Sequence, residues 1–439
     1  MASPPPRRAF RALQHRDFRL LGSATLISII GTQMQNVGID WHIYVLTRSP
    51  LALGSLGLVR VLPIIFFSMW GGVVADRHDR KWVQFTTQGV MAIIALLLGL
   101  ATFFGRDRVW LVYVLTALTA AANAFDAPAR QALVPRLVPI EDLQGALTMN
   151  LTFMHVAMIT GPSLAGLIIA SSGGAGTHST RVLGSIYFAN SASFLAVMLA
   201  LALLRASGRP EPTAGAQREG WLASLKIGFR FMLSAKVILW TMVLDFFATL
   251  FSGAISLLPV VADQILHVGA QGYGWLRSAT GAGALLASMV TAVYPLPRRQ
   301  GPVLLWAVAA YGAATVVYGI SHDFYLTLFA LAATGAADLF STVIRSTARQ
   351  ILTPDELRGR ITAFNMVFFI GGPQLGEMEA GFTASLFGSA ALGTMISITS
   401  GGAVTLLLVA FFAMFVPVMR NYELPASAPT LEKLAELKK

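Results

Sequence analysis

The chain has 439 residues, 55% of them hydrophobic and only 12% charged, and its mean hydropathy is +0.66. A soluble fold of this composition would lack the polar surface to cover its apolar core, which leaves an all-α polytopic membrane protein. The absence of cysteine excludes disulfides and thiolate metal sites, and the net charge of +11 is spread over several loops, which speaks for membrane topology and anionic lipid rather than nucleic acid.

Hydrophobic stretches of about 20 residues, the length that crosses a bilayer as a helix, follow one another along the chain. The first six run over 18–46, 51–74, 82–104, 109–129, 149–171 and 182–204. Six more follow at 237–261, 272–296, 302–320, 324–345, 362–388 and 396–419, so twelve spans are expected. The first is too long for a signal-peptide core and has no small-residue cleavage site, so it reads as a retained helix. This divides the chain into a cytoplasmic segment 1–17, a six-helix half 18–204, a polar central loop 205–236, a second six-helix half 237–419 and a tail 420–439. With the N-terminus in the cytoplasm, that side receives Arg7, Arg8, Arg11, Arg16, Arg19, Arg77, Arg80, Lys81, the central loop, Arg298, Arg299, Arg358, Arg360 and the terminal lysines. The opposite loops keep Arg48, Arg106, Arg108 and Arg181, so the excess of basic residues puts both termini inside.

The loop after the second span, GGVVADRHDRKW, concentrates Asp76, Arg77, Asp79, Arg80 and Lys81, which a mere topology signal would also explain. An internal repeat adds weight to it. Gly57-Leu-Val-Arg60 recurs as Gly274-Trp-Leu-Arg277 at an offset of 217, Ala129-Arg130-Gln131 as Ala348-Arg349-Gln350 at 219, and Gly161-Pro162 as Gly372-Pro373 at 211. The halves are therefore read as two pseudosymmetric units of six helices. Four spans carry polar residues at intervals of three and four, which fall on one helical face: Gln33, Asn36 and Asp40; Thr116, Thr119, Asn123 and Asp126; Asp245, Thr249, Ser252 and Ser256; Thr334, Asp338, Ser341 and Arg345. Polar faces in hydrocarbon must meet protein or a water-filled cavity, and a cavity between two repeats is the architecture of alternating access. No phosphate-binding glycine loop and no metal-ligand spacing among the seven His is present, so no cofactor or metal is expected.

Gly72-x-x-x-Asp76-Arg77-x-x-Arg80-Lys81 resembles the signature between helices two and three of the major facilitator superfamily, and the resemblance runs from Phe10 to about Arg420. The opening stretch from Phe18 to Gly54, FDAPARQALVPRLVP and ELRGRITAFN are similar to a bacterial branch that holds the enterobactin exporter and macrolide efflux pumps. One departure is that Asp79 stands where the family has glycine, a turn position for which Asp's tolerance of left-handed backbone is the expected substitute. The resemblance implies a major facilitator fold in the bacterial inner membrane. It also implies a gate: Asp76 against the N-terminus of the eleventh helix and Arg80 against Asp126 in the outward-facing conformer, each contact worth about 1 kcal/mol. Gly161-Pro162 with Gly166 resembles a shortened antiporter motif whose glycines allow close helix packing, as Gly372 and Pro373 do in the second half, and it favours export.

Coupling requires acids that change charge within the membrane. The candidates are Asp40, Asp245, Asp338, Glu377 and Glu379, with Arg60, Arg277 and Arg345 as partners. Asp40 and Glu377 rank first for the proton, with Glu379 behind them; Asp245 and Asp338 are the choices for holding a cationic substrate, among cavity residues that include Gln33, Asn36, Asn123, Thr249 and Arg345. The expected function is proton-coupled efflux of an amphipathic small molecule such as a drug, macrolide or siderophore, by a monomer in the lipid bilayer. An uptake carrier, a lipid flippase and a non-transporting sensor remain open, whereas no nucleophile, base and orienting group converge as an enzyme would need.

Overall fold

The computed structural model of the chain describes residues 11–171, 179–208, 221–294 and 296–424. In the first half of the sequence the long helices are α1 (Arg16–Thr47), α2 (Pro50–Arg77), α3 (Arg80–Phe103), α4 (Val109–Leu133), α5 (Leu143–Ala170) and α6 (Ser179–Leu203). The second half holds α7 (Trp221–Ser234), α8 (Lys236–Ser252), α9 (Gly269–Val293), α10 (Gln300–Ile320), α11 (Phe324–Leu352), α12 (Asp355–Ser385) and α13 (Ala390–Phe415). Ten of the described helical stretches are long and apolar enough to cross a membrane, one of them Lys236–Ile265, which extends α8. Helices α1 and α12, of 32 and 31 residues, have the length but not the apolar character, because α1 carries Gln33, Gln35, Asn36, Asp40 and His42 and α12 carries Asn365, Gln374, Glu377 and Glu379. Helix α7 stands inside the stretch expected as a polar loop. Its Met232 is buried against Ile238, Met242 and Ile361.

Local chemistry sets the helix ends. Ser49 caps α2 by accepting from the Ala52 amide, and Pro50 occupies the first helical position, where its missing N–H costs nothing. Asp79 caps α3 through Oδ1, which accepts from the Lys81 amide at 2.9 Å. Its φ is −62°, so the turn needs no left-handed backbone, contrary to the expectation for the residue that replaces glycine. After α8 the chain leaves helical geometry at Gly253, forms a 3-10 turn over Ala254–Leu257 and then a π turn over Val261–Ile265.

The chain divides into two compact units. The first is drawn from Met1–Ala52, Leu58–Pro212 and Val261–Gly281; the second from Leu53–Gly57, Thr213–Val260 and Ala282–Lys439. In the first unit α3 packs on α4 and α6, α1 packs on α5 and α6, and α5 meets α6. In the second unit the same pattern recurs: α10 on α11 and α13, α8 on α12 and α13, and α12 on α13. The sequence repeat is thus also a repeat of packing. Close approaches fall at glycines: a Cβ on Gly161 would lie 2.6 Å from Gln33 Cβ, and one on Gly166 would lie 2.8 Å from Gly274 Cα. Pro162 and Pro373 sit inside α5 and α12. In the second unit, Gly372 faces Phe246 and Thr249 of α8.

Candidate functional site

Charged side chains are buried in both units, and each group is built by more than one helix. In the first unit Asp40, on α1, is completely buried. Its Oδ1 receives Arg60 Nη2 from α2 at 2.6 Å, and its Oδ2 accepts from the Tyr273 hydroxyl of α9 at 3.3 Å. Tyr273 stacks on Trp41, with ring centroids 5.6 Å apart. Gln33 and Asn36, a turn or two earlier on α1, bond to each other at 3.3 Å. Sequence reasoning offered Arg60 as a partner but missed Tyr273, because a tyrosine in an apolar stretch shows no polar periodicity.

In the second unit Arg345 of α11 holds two acids. Its Nη1 is paired with Asp245 Oδ2 from α8, and its Nη2 lies 3.7 Å from Asp338 Oδ1, two turns earlier on its own helix. Arg345 Nε also donates to Ser341 Oγ at 3.1 Å and Nη2 to Thr342 Oγ1 at 3.0 Å. Asp245 and Arg345 are buried, whereas the Asp338 side chain is 49% exposed. Thr249, expected to face a cavity, gives its hydroxyl back to Asp245 O at 2.8 Å. Glu377 is buried where α2 meets α12: a Cβ on Gly54 would come within 2.6 Å of Glu377 O. Glu379 accepts from Thr383 Oγ1 at 2.8 Å.

The charged loop has a different geometry from the one expected of the gate. Arg80 Nη1 donates to Ala132 O at 3.2 Å rather than to Asp126, and Lys81 Nζ donates to Leu204 O at 3.0 Å. Asp126 is buried and accepts from Gln88 Nε2 at 2.9 Å and Thr87 Oγ1 at 3.0 Å, with Arg130 Nε at 3.9 Å. Arg77 is exposed, as is Asn123 on α4. A Cβ on Gly72 would meet nothing within 4 Å, while one on Gly71 would lie 3.1 Å from Phe125 Cα, so the steric demand is at Gly71. The side chains of Asp76 and Arg360, together with Arg7, Arg8 and the terminal lysines, lie outside the described residues.

Two further clusters escaped the sequence reading. His42, completely buried on α1, lies 2.8 Å from Asp107 Oδ2 through Nε2 and 3.0 Å from the Tyr187 hydroxyl through Nδ1. At the end of α1, Arg48 Nη1 and Tyr44 O–H both donate to Asp263 Oδ2, at 2.6 and 2.5 Å, and Arg48 lies over the Tyr44 ring. Desolvation works against the Arg48 charge, but Tyr44 and Asp263 outweigh it and raise its pKa. Both clusters join residues 65 or more positions apart, a separation at which local spacing carries no signal. Among the described residues no three His, Asp or Glu converge as metal ligands would.

Long helices in duplicated sets, with ion pairs buried in each, define a major facilitator transporter. The family described as transmembrane secretion effector matches residues 7–438, and the chain belongs to this family of the superfamily. It is 25% identical to the enterobactin exporter EntS of Escherichia coli O81 (strain ED1a) over 404 residues, 92% of each chain. In fold it is similar to a bacterial homologue of the human lysosomal transporter Spinster, with a TM-score of 0.72 at 14% identity, covering 97% of this chain and 100% of that one. A D-xylose–proton symporter aligns with a TM-score of 0.69 at 14% identity over 92% and 99%.

Proposed function

We propose that the chain is a proton-coupled exporter of an amphipathic small molecule, working by alternating access in the bacterial inner membrane with both termini in the cytoplasm. The observation that carries this reading is the completely buried Asp40, held by Arg60 and Tyr273 inside a chain of the secretion-effector family. A carboxylate so placed is stable while its cation stays beside it and gains a proton when the cation moves away, which is what coupling requires. Glu377, buried on α12 four residues after Pro373, is the second proton candidate. Export is supported by the family description and by the relatives named as enterobactin exporters. Asp338, the exposed acid of the Arg345 cluster, is the site for a cationic group of the cargo. In this reading Asp76, Arg80 and Asp126 form a gate in the outward-facing conformer.

The test is transport in vesicles with an imposed pH gradient and a panel of enterobactin, a macrolide and a cationic dye. Asp40→Asn and Glu377→Gln are expected to abolish gradient-driven export while keeping downhill exchange. If both retain the wild-type pH dependence, the proton sites are elsewhere or the coupling ion is different.

A further inference from the structure

The two copies of the Gly-x-x-Arg motif have met different fates. Arg60 has its acid: Asp40 sits 2.6 Å away. At the offset of 217 that relates the motifs, Asp40 corresponds to Leu257, so the repeat kept the arginine and replaced the carboxylate with a hydrocarbon side chain. The described contacts of Arg277 agree with this loss. Its Nη1 is buried without a hydrogen-bond partner, and no ion pair with Arg277 occurs among the described residues. A buried guanidinium nitrogen without a hydrogen-bond partner is costly. The guanidinium, with a planar fork of donors, is the group best suited to a flat oxyanion.

Arg277 stands one helical turn after Tyr273, which stacks on Trp41 and donates to Asp40. Gly274 and Gly281, which bracket Arg277 on α9, lie against Pro162 O, Gly166 and Met158 of α5, so the backbone around the arginine is fixed by close packing rather than by the arginine's own contacts. We propose that Arg277 is the subsite for an oxyanion group of the cargo, a carboxylate carried on an amphipathic body. This rests on the reading of the chain as a carrier of amphipathic molecules.

Equilibrium binding to the purified full-length protein tests it without any gradient, so a failure of proton coupling and a failure of this subsite are told apart. The probes are 1-naphthoate and its uncharged analogue 1-naphthylmethanol, titrated calorimetrically. The wild type is expected to bind the acid at least tenfold more tightly than the alcohol. Arg277→Gln should bind the two alike, and Arg277→Lys, which keeps the charge but loses the fork, should retain part of the preference. Hydrogen exchange on the wild type, which needs no variant, should slow over 273–281 with naphthoate and not with the alcohol. Equal binding of both probes by the wild type, no binding of naphthoate, or an undiminished preference in Arg277→Gln overturns the assignment.

Discussion

The Asp40 cluster of the first unit and the Arg345 cluster of the second solve the burial of charge in opposite ways. In the first, one acid is enclosed by a cation and a tyrosine, and the Asp40 and Arg60 side chains are 1% and 12% exposed. In the second, one cation serves two acids, and the second of these, Asp338, is half exposed. The lesson is that a duplicated scaffold need not duplicate its electrostatics. A closed cluster suits a group whose charge is switched by rearrangement, and an open one suits a group that meets something from outside.

Removing the cation should separate the two most strongly. Arg60→Ala leaves Asp40 buried without its cation and should destabilise the protein by about 3–5 kcal/mol at high pH, where the acid is still charged, and by less as it takes up a proton; Arg345→Ala should fall toward the lower end of that range, because Asp338 already reaches solvent. Thermal unfolding of the purified variants checks the order, and near-equal losses would break the comparison. Tyr273→Phe deletes a single hydrogen bond to a carboxylate, so a loss of about 1–2 kcal/mol is expected, with the Trp41 stacking retained and visible in near-ultraviolet circular dichroism. Asp338→Asn is the mildest change, within about 1 kcal/mol of wild type. Its signature should lie in the affinity for a cationic dye, which falls while stability is unchanged.

Ten of the twelve expected spans are long and apolar enough among the described residues, since a helix in lipid must satisfy its own backbone, whereas α1 and α12 are too polar to qualify on hydrophobic length. The same reading placed Asp338 and Arg345 on one face, because a spacing of seven residues is a property of a single helix. What it did not yield was set by tertiary packing. Tyr273 meets Asp40 across 233 positions, and Asp107 lies in a short connection with no periodicity. Helix α7 was read as loop because a Pro- and Gly-rich stretch precedes it and its 14 residues are too few to span. The Arg80–Asp126 contact was assigned from family likeness, and the carbonyl of Ala132 takes Arg80 instead.

Gly166 and Gly274 come together with backbone against backbone, 2.8 Å from a would-be Cβ to the facing Cα. Most helix pairs interlock side chains as ridges in grooves, and turning one against the other means lifting teeth out of sockets. Where two glycines cross there are no teeth, so α5 and α9 meet backbone to backbone, and a polar tie, Ser163 Oγ to Ser278 Oγ at 2.8 Å, fastens the crossing one turn on. A single methyl on either glycine would wedge the two backbones apart and pull that tie open.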